Sequence, residues 1–305
     1  MRQFWIAFIS TVCSGVLFML LIFLLPSNLL SRSPEKVRMF ISQIQKQTER
    51  IVERKKTPEE LFEEAFEHSK EIKGLYMTAD VANDQSVGAT RLRNNLLRIA
   101  TSTEINGLIV DVKEVCGPDY NKAHLKELLK TLKANNIWSI ARITTFKDAS
   151  QINTHPEWYL TRKNHKAVSI DECLHKRHLV LKGPGSGGNL YFWRDRRGGY
   201  WLDPAHPGVK EYIINFSKTI IDLGFDELQF DYIRFPSDGD VELAIYPVWN
   251  RKEAKYKIMK SFFESLHKNL KAHKPDIILS ADLFGYAAIL EGDVGIGQRL
   301  EDIGH

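Results

Sequence analysis

Residues 227–236 read ELQFDYIRFP, a short apolar run that carries Asp231 and Arg234 where a buried strand should hold no charge. Side chains alternate across a strand, so parity decides which way each one points. Leu228, Phe230 and Tyr232 share one face, while Gln229 and Asp231 share the other. Arg234 falls beyond the strand proper, just before Pro236 ends the pairing.

The same alternation recurs along the chain. Leu108, Val110 and Val112 oppose Asp111 and Lys113, and Ala141 and Ile143 oppose Arg142 and Thr144. Leu279, Ala281 and Leu283 oppose Ser280 and Asp282, and Leu75 and Met77 oppose Tyr76, Thr78 and Asp80. Each strand therefore has one apolar face and one that turns polar towards its C-terminal end. A doubly wound sheet is covered by helices on both sides and wants both faces apolar. A barrel covers only its outer face and turns the inner one to a lumen, whose C-terminal mouth carries the chemistry. The pattern thus predicts an α/β fold of the (β/α)8 TIM-barrel kind. No Gly-x-Gly-x-x-Gly follows the first strand, which removes the dinucleotide-binding alternative.

Strands are expected at 74–79, 107–113, 137–143, 227–233 and 277–284, with helices at 90–102, 124–134, 209–223 and 251–273. Closure of such a barrel takes eight strands and only five precede residue 305, so the sequence reads as a fragment truncated after about five βα units. A long insertion at about 147–207 breaks the rhythm. It is rich in Gly, His, Lys and aromatics, and a loop that long is expected to be functional or disordered.

Upstream of the barrel, residues 4–25 carry no charge. At about 1.5 Å per residue they span a hydrocarbon core of roughly 30 Å. Without an A-x-A cleavage pattern, residues 1–30 read as an uncleaved single-pass transmembrane anchor. Arg2 precedes the span and Arg32, Lys36 and Arg38 follow it, so the positive-inside count points the domain inward. Substrate class argues for the opposite, extracytoplasmic placement. Residues 31–73 read as a helical stalk, with Val37, Phe40, Ile41, Ile44 and Ile51 near helical spacing. A second helix opens on the capping box Thr57-Pro58-Glu59-Glu60 and carries Leu61, Phe62, Ala65 and Phe66. The stalk is either a self-associating coiled coil or an amphipathic spacer packed on the domain that occupies 74–305.

Composition removes several classes. The chain has 305 residues, 43% hydrophobic and 26% charged, enough for one domain of roughly 200–250 residues and an appendage. The 42 basic and 38 acidic residues leave a net charge of +4 and are scattered, so no nucleic-acid footprint forms. Cys13, Cys116 and Cys173 lack metal-ligand spacing. The latter two read as loop cysteines, with a Cys116–Cys173 disulfide as the alternative. No His-x-His ends a strand, and His155, His165, His175, His178 and His206 lie in or beside the insertion, where they read as surface residues. Neither a metal nor a cofactor is expected.

The strand-end carboxylates suit glycoside hydrolysis, which needs one ionised and one protonated carboxyl group. Arg142 and Arg234 would hold Asp231 ionised by charge pairing, and Leu283 and Phe284 would supply the dry setting that an acid partner needs. Asp111 and Lys113 suit sugar hydroxyls or a lumen salt bridge. Trp158, Tyr159, Tyr191, Trp193, Tyr200 and Trp201 either stack on sugar rings or pack the insertion onto the barrel.

The blocks at 107–113 (GLIVDVK), 141–143 (ARI), 146–148 (FKD), 201–204 (WLDP), 224–236 (GFDELQFDYIRFP), 281–285 (ADLFG) and 295–298 (GIGQ) resemble, in order and spacing, a bacterial glycosyl hydrolase domain family related to α-amylase-like barrels. The resemblance implies that Asp231 is the nucleophile and that Asp282 stands at the acid/base position, where those barrels more often use Glu. Glu291 and Asp293 are the reserve acids. The substrate-binding set expected beside them is Asp111, Lys113, Arg142, Asp203, Arg234, Trp201 and Tyr232. The function implied is hydrolysis of a cell-surface or exported polysaccharide. The alternative is a catalytically silent carbohydrate-binding barrel of the cell envelope.

Overall fold

The computed structural model describes residues 39, 42–43, 56–163, 171–173, 190–289 and 292–303. The anchor at 4–25 with Cys13, nearly all of 31–55, the glycine-rich run 182–188, His165, His175, His178 and Glu291 lie outside them. Among the described residues no helix is long and apolar enough to cross a membrane.

The compact unit that begins at Thr57 opens with helix α1 (Pro58–Ser69). Its capping box forms as read, with Glu60 N donating to Thr57 Oγ1 at 3.3 Å and Thr57 N to Glu60 Oε2 at 2.9 Å. Strands β1 (Gly74–Met77), β2 (Gly107–Glu114), β4 (Trp138–Thr144), β7 (Glu227–Asp231) and β8 (Ile278–Ala281) then pair in parallel. They lie side by side in chain order, with the two-residue β3 (Gly117–Pro118) on β2. A doubly wound sheet reverses its strand order at a switch point. This one never does, so it is an open arc of a singly wound sheet, as in the first five units of a barrel.

Helices α2 (Ala79–Asn83), α3 (Val87–Ser102), α4 (Lys122–Ala134), α5 (Pro207–Ile221) and α6 (Lys255–His273) connect the strands. Their apolar stripes bury Leu125, Leu128, Leu129 and Leu132 of α4 and Met259, Phe262, Leu266 and Leu270 of α6. These join Leu108, Val110, Ala141, Ile143, Leu228 and Phe230 in the main core, the strand face that parity assigns to the helices.

The opposite face is layered. Near the strand starts, Trp138, Ile140 and Ile278 pack with Ile109 and with Phe62, Ala65 and Ile72 from α1 and its exit. The second helix of the expected stalk thus lies on the barrel unit and covers apolar surface there. One layer up, register aligns Asp111 with Arg142, Arg142 with Gln229, and Gln229 with Ser280. On β2 and β4 the face turns from apolar to charged within two residues, from Ile109 to Asp111 and from Ile140 to Arg142.

Two departures from parity matter. On β2, Asp111 registers with Arg142 but Lys113 registers with Ile143, so Val112 is one residue too many. This bulge swings Lys113 to the helix side. On β7 the strand stops at Asp231, and Tyr232 adopts φ 50°, a left-handed conformation uncommon for a bulky residue. Tyr232 therefore leaves the helix face to which alternation assigned it.

The described parts of the insertion are folded. Strands β5 (Thr161–Lys163) and β6 (Leu190–Phe192) pair antiparallel, and Thr161 bridges to Ile245. Trp158, Tyr159, Trp193, Tyr200 and Trp201 are all buried in its core. A disulfide joins Cys116 to Cys173, across 57 residues of sequence, which corrects the loop-cysteine reading. It stays invisible to spacing because only the folded insertion brings Cys173 back to the end of β2. Gly117 beside it has φ 112°, and a Cβ there would come within 2.3 Å of Ser150 Cβ. Replacing Cys116 and Cys173 by serine should lower unfolding stability by about 2–4 kcal/mol. Equal denaturation midpoints with and without reductant would contradict this.

Candidate active site

The carboxyl ends of the strands bring Tyr76, Asp111, Arg142, Gln229, Asp231 and Asp282 together on the inner face. Arg142 is the hub. Its Nη1 donates to Asp111 Oδ1 at 2.7 Å, and its Nη2 pairs with Asp231 Oδ2. The Tyr76 hydroxyl donates to the other oxygen of Asp111 and lies 3.3 Å from Arg142 Nη1. Burial alone would pull the Arg142 pKa down, yet the Asp111 hydrogen bond and the Asp231 charge outweigh it and hold the guanidinium above its ordinary value. Burial, and then the hydrogen bond to Asp111, push the Tyr76 phenol up. One cation thus ties three strand ends, with a fourth joined through Tyr76.

Asp231 is fixed at both oxygens, since Oδ1 accepts from Tyr232 N at 2.6 Å. Asp282 follows the last residue of β8, one step beyond the Phe230–Ala281 pair, and so stands beside Asp231. Its Oδ1 accepts from Gln229 Nε2 at 2.8 Å. Burial, then the Asp231 charge, push the Asp282 carboxyl above its usual range, against the opposing pull of Arg142 and Gln229. Two adjacent carboxyl groups thus sit in contrasting settings, one ion-paired and one raised towards the protonated form.

Several residues read from sequence as substrate contacts are elsewhere. Lys113 is fully buried, bonded to Asp148 at 2.9 Å and to the Thr144 carbonyl, beneath the Tyr212 ring. Burial lowers its pKa against the attraction of Asp148. Asp203 is 0% exposed, and its Oδ2 accepts from Val248 N and Trp249 N at 2.7 and 2.9 Å, so it pins a loop. Trp201 is 1% exposed and donates Nε1–H to Asp195 at 2.9 Å. With its buried neighbours, it packs the insertion rather than offering a sugar platform. Asp293 Oδ1 accepts from the backbone of Gly295, Ile296 and Gly297, and so closes a turn.

Arg234 stays at the mouth without pairing with Asp231. Its Nη1 donates to Phe235 O and Ser237 Oγ, both at 3.0 Å. Tyr232 lies among Trp201, Lys147 and Arg234. Sequence reasoning missed Tyr76 and Gln229 as site residues, although parity had put both on the polar face. Phe284, 40% exposed and against Arg234, is the further aromatic at the mouth.

Among solved structures, the chain is similar to a hypothetical protein from Ruminiclostridium thermocellum ATCC 27405, with 28% identity and a TM-score of 0.49 over 69% of this chain and 98% of that one. It is also similar to a noncanonic maltogenic alpha-amylase from Thermotoga neapolitana, at 14% identity and TM-score 0.42 over 70% of this chain and 46% of that one. An alpha-galactosidase from Thermus thermophilus shares 11% identity and TM-score 0.40 over 69% of this chain and 37% of its own. The chain spans less than half of either enzyme. No curated protein matches it. Residues 74–305 match the family described as "Putative glycosyl hydrolase domain", and the chain belongs to that family.

Proposed function

We propose that the domain is a glycoside hydrolase in which Asp231 is the nucleophile and Asp282 the general acid/base. The observation that carries this reading is the contrast between the two neighbours: Asp231 is paired with Arg142, and Asp282 is raised by burial and by the Asp231 charge. Carboxyl groups pushed apart in this way divide the acid and nucleophile roles. Neighbouring strands lie about 4.8 Å apart, which favours the carboxyl spacing of about 5–5.5 Å used for retention. In the first step an Asp231 oxygen bonds to the anomeric carbon while the glycosidic C–O bond breaks, and the Asp282 proton goes to the leaving oxygen. In the second step water attacks that carbon, its proton goes to Asp282, and Asp231 leaves. Arg142 spreads the charge of Asp231 and is itself held by the buried Asp111, whose other oxygen accepts from Tyr76.

The substrate in this reading is a cell-surface or exported polysaccharide. The Cys116–Cys173 bond supports a location outside the cytoplasm, because disulfides persist in oxidising compartments. The uncharged run at 4–25 fits a membrane anchor that would hold the domain there.

Asp231→Asn should abolish release of reducing sugar while the chain still folds cooperatively, with a lowered melting temperature because Arg142 loses one of its two carboxylates; full turnover in that variant removes Asp231 from the chemistry. Asp282→Ala should slow natural substrates by about 10²–10⁴-fold. It should spare only the first step for aryl glycosides whose leaving group needs no proton, and azide, a nucleophile that needs no base, should restore their turnover as glycosyl azide. Loss of both substrate types alike with azide present would exclude the acid role.

The Asp282 pKa is raised in the folded state, so its contribution to stability is fully present below the unfolded-state pKa and is lost as pH rises through the folded-state one. Asp282→Asn should therefore raise the melting temperature at pH 7, with the gain shrinking towards pH 3. A gain that instead grows towards acid would have the wrong sign.

A further inference from the structure

Most cations around the strand ends are matched by acids. Arg142 holds Asp111 and Asp231, Lys113 holds Asp148, and Lys147 holds Glu172 and Asp195. Arg234 is the exception. Asp231, Asp238 and Asp195 act on it through space, yet among the described residues no carboxylate forms an ion pair with it. Its Nη1 is occupied by Phe235 O and Ser237 Oγ, while Nε and Nη2 have no acceptor among the described residues. Neither of these two atoms is among the buried unpartnered side-chain atoms, so both are open to solvent.

Three aromatic rings surround this guanidinium. Its central carbon lies 4.5 Å from the Phe284 ring centre, 5.2 Å from Trp201 and 5.4 Å from Tyr232. With Nη1 occupied, the group keeps one edge free, the parallel N–H donors of Nε and Nη2. That edge matches the two coplanar oxygens of a carboxylate, the geometry for which arginine is suited and lysine is not. Position adds the second half of the argument. Arg234 lies three residues beyond Asp231, and Phe284 two residues beyond Asp282, so the edge stands between the loops that leave the two candidate catalytic strands. Burial also lowers the Arg234 pKa, as befits a cation that lacks its counter-ion.

We infer that Arg234 receives a carboxylate of the substrate, so that the glycan taken by this cleft is acidic and carries a uronic acid beside the bond addressed by Asp231 and Asp282. The inference rests on reading that cleft as a glycan site, and binding separates the two. The full chain carrying Asp231→Asn would be titrated calorimetrically with oligogalacturonate and hyaluronan oligosaccharides, each beside its carboxyl-reduced counterpart, and with a sulfated galactan oligosaccharide. At least one uronate should bind about tenfold or more tightly than its reduced form, the worth of a charge-assisted hydrogen-bond pair. Arg234→Gln should erase that preference and Arg234→Lys keep part of it. Equal affinity within both pairs, no uronate binding, a preference for the sulfate ester, or a preference that survives Arg234→Gln would each overturn the assignment. If the hydrolase reading alone fails, the wild-type chain will show the uronate preference while releasing no reducing ends.

Discussion

The bridge that Arg142 makes between Asp111 and Asp231 is the constraint on which the inner face depends. Three adjacent strands end in charged side chains on the same side, and without a cation between them two carboxylates would face each other across β4. Removing one partner of a buried pair costs on the order of 3–5 kcal/mol, because the survivor stays charged and unpaired. The same bond orders the chemistry. It holds Asp231 oriented beside Asp282, whose carboxyl accepts from the Gln229 amide and is raised by burial and by the Asp231 charge. Stability and reactivity at the strand ends are thus set by one guanidinium.

The insertion supplies the wall behind this bridge. Lys147, nearly fully buried, pairs with Glu172 at 2.6 Å and Asp195 at 3.1 Å and lies 5.3 Å from the Tyr232 ring. Asp195 in turn accepts from Trp201, whose ring lies beneath Arg234. The Cys116–Cys173 bond fastens the segment carrying Glu172 to the end of β2. The described parts of the insertion thus pack around Tyr232, whose N–H donates to Asp231. Aromatics that composition offered as sugar platforms are its core.

Much of the fold was legible because strand parity is a local property. Leu228, Val110 and Ala141 went to the helix face and Asp231, Asp111 and Arg142 to the other, as alternation requires. Alternation fails where the backbone leaves the regular strand. Lys113 sits past a bulge and Tyr232 in a left-handed turn, and neither event has a glycine or proline to announce it. Asp203 and Trp201 were misread for another reason: their partners, Val248, Trp249 and Asp195, meet them only after the insertion folds back. Tyr76 was visible on the polar face, but a phenol carries no charge to draw attention until Asp111 and Arg142 stand beside it.

The extra residue at Val112 acts as an electrostatic selector. By advancing β2 one position, it withdraws a lysine from the mouth and commits that lysine to Asp148 on the other side of the sheet. The field over Asp231 is therefore governed by the length of a strand as well as by the identity of its side chains. A relative lacking that one residue would turn its lysine inward beside Asp111 and give the cleft a more cationic character with an unchanged set of residue types. When members of this family are compared, a one-residue difference in length at this strand will say more about substrate charge than an exchange of Lys for Arg within it.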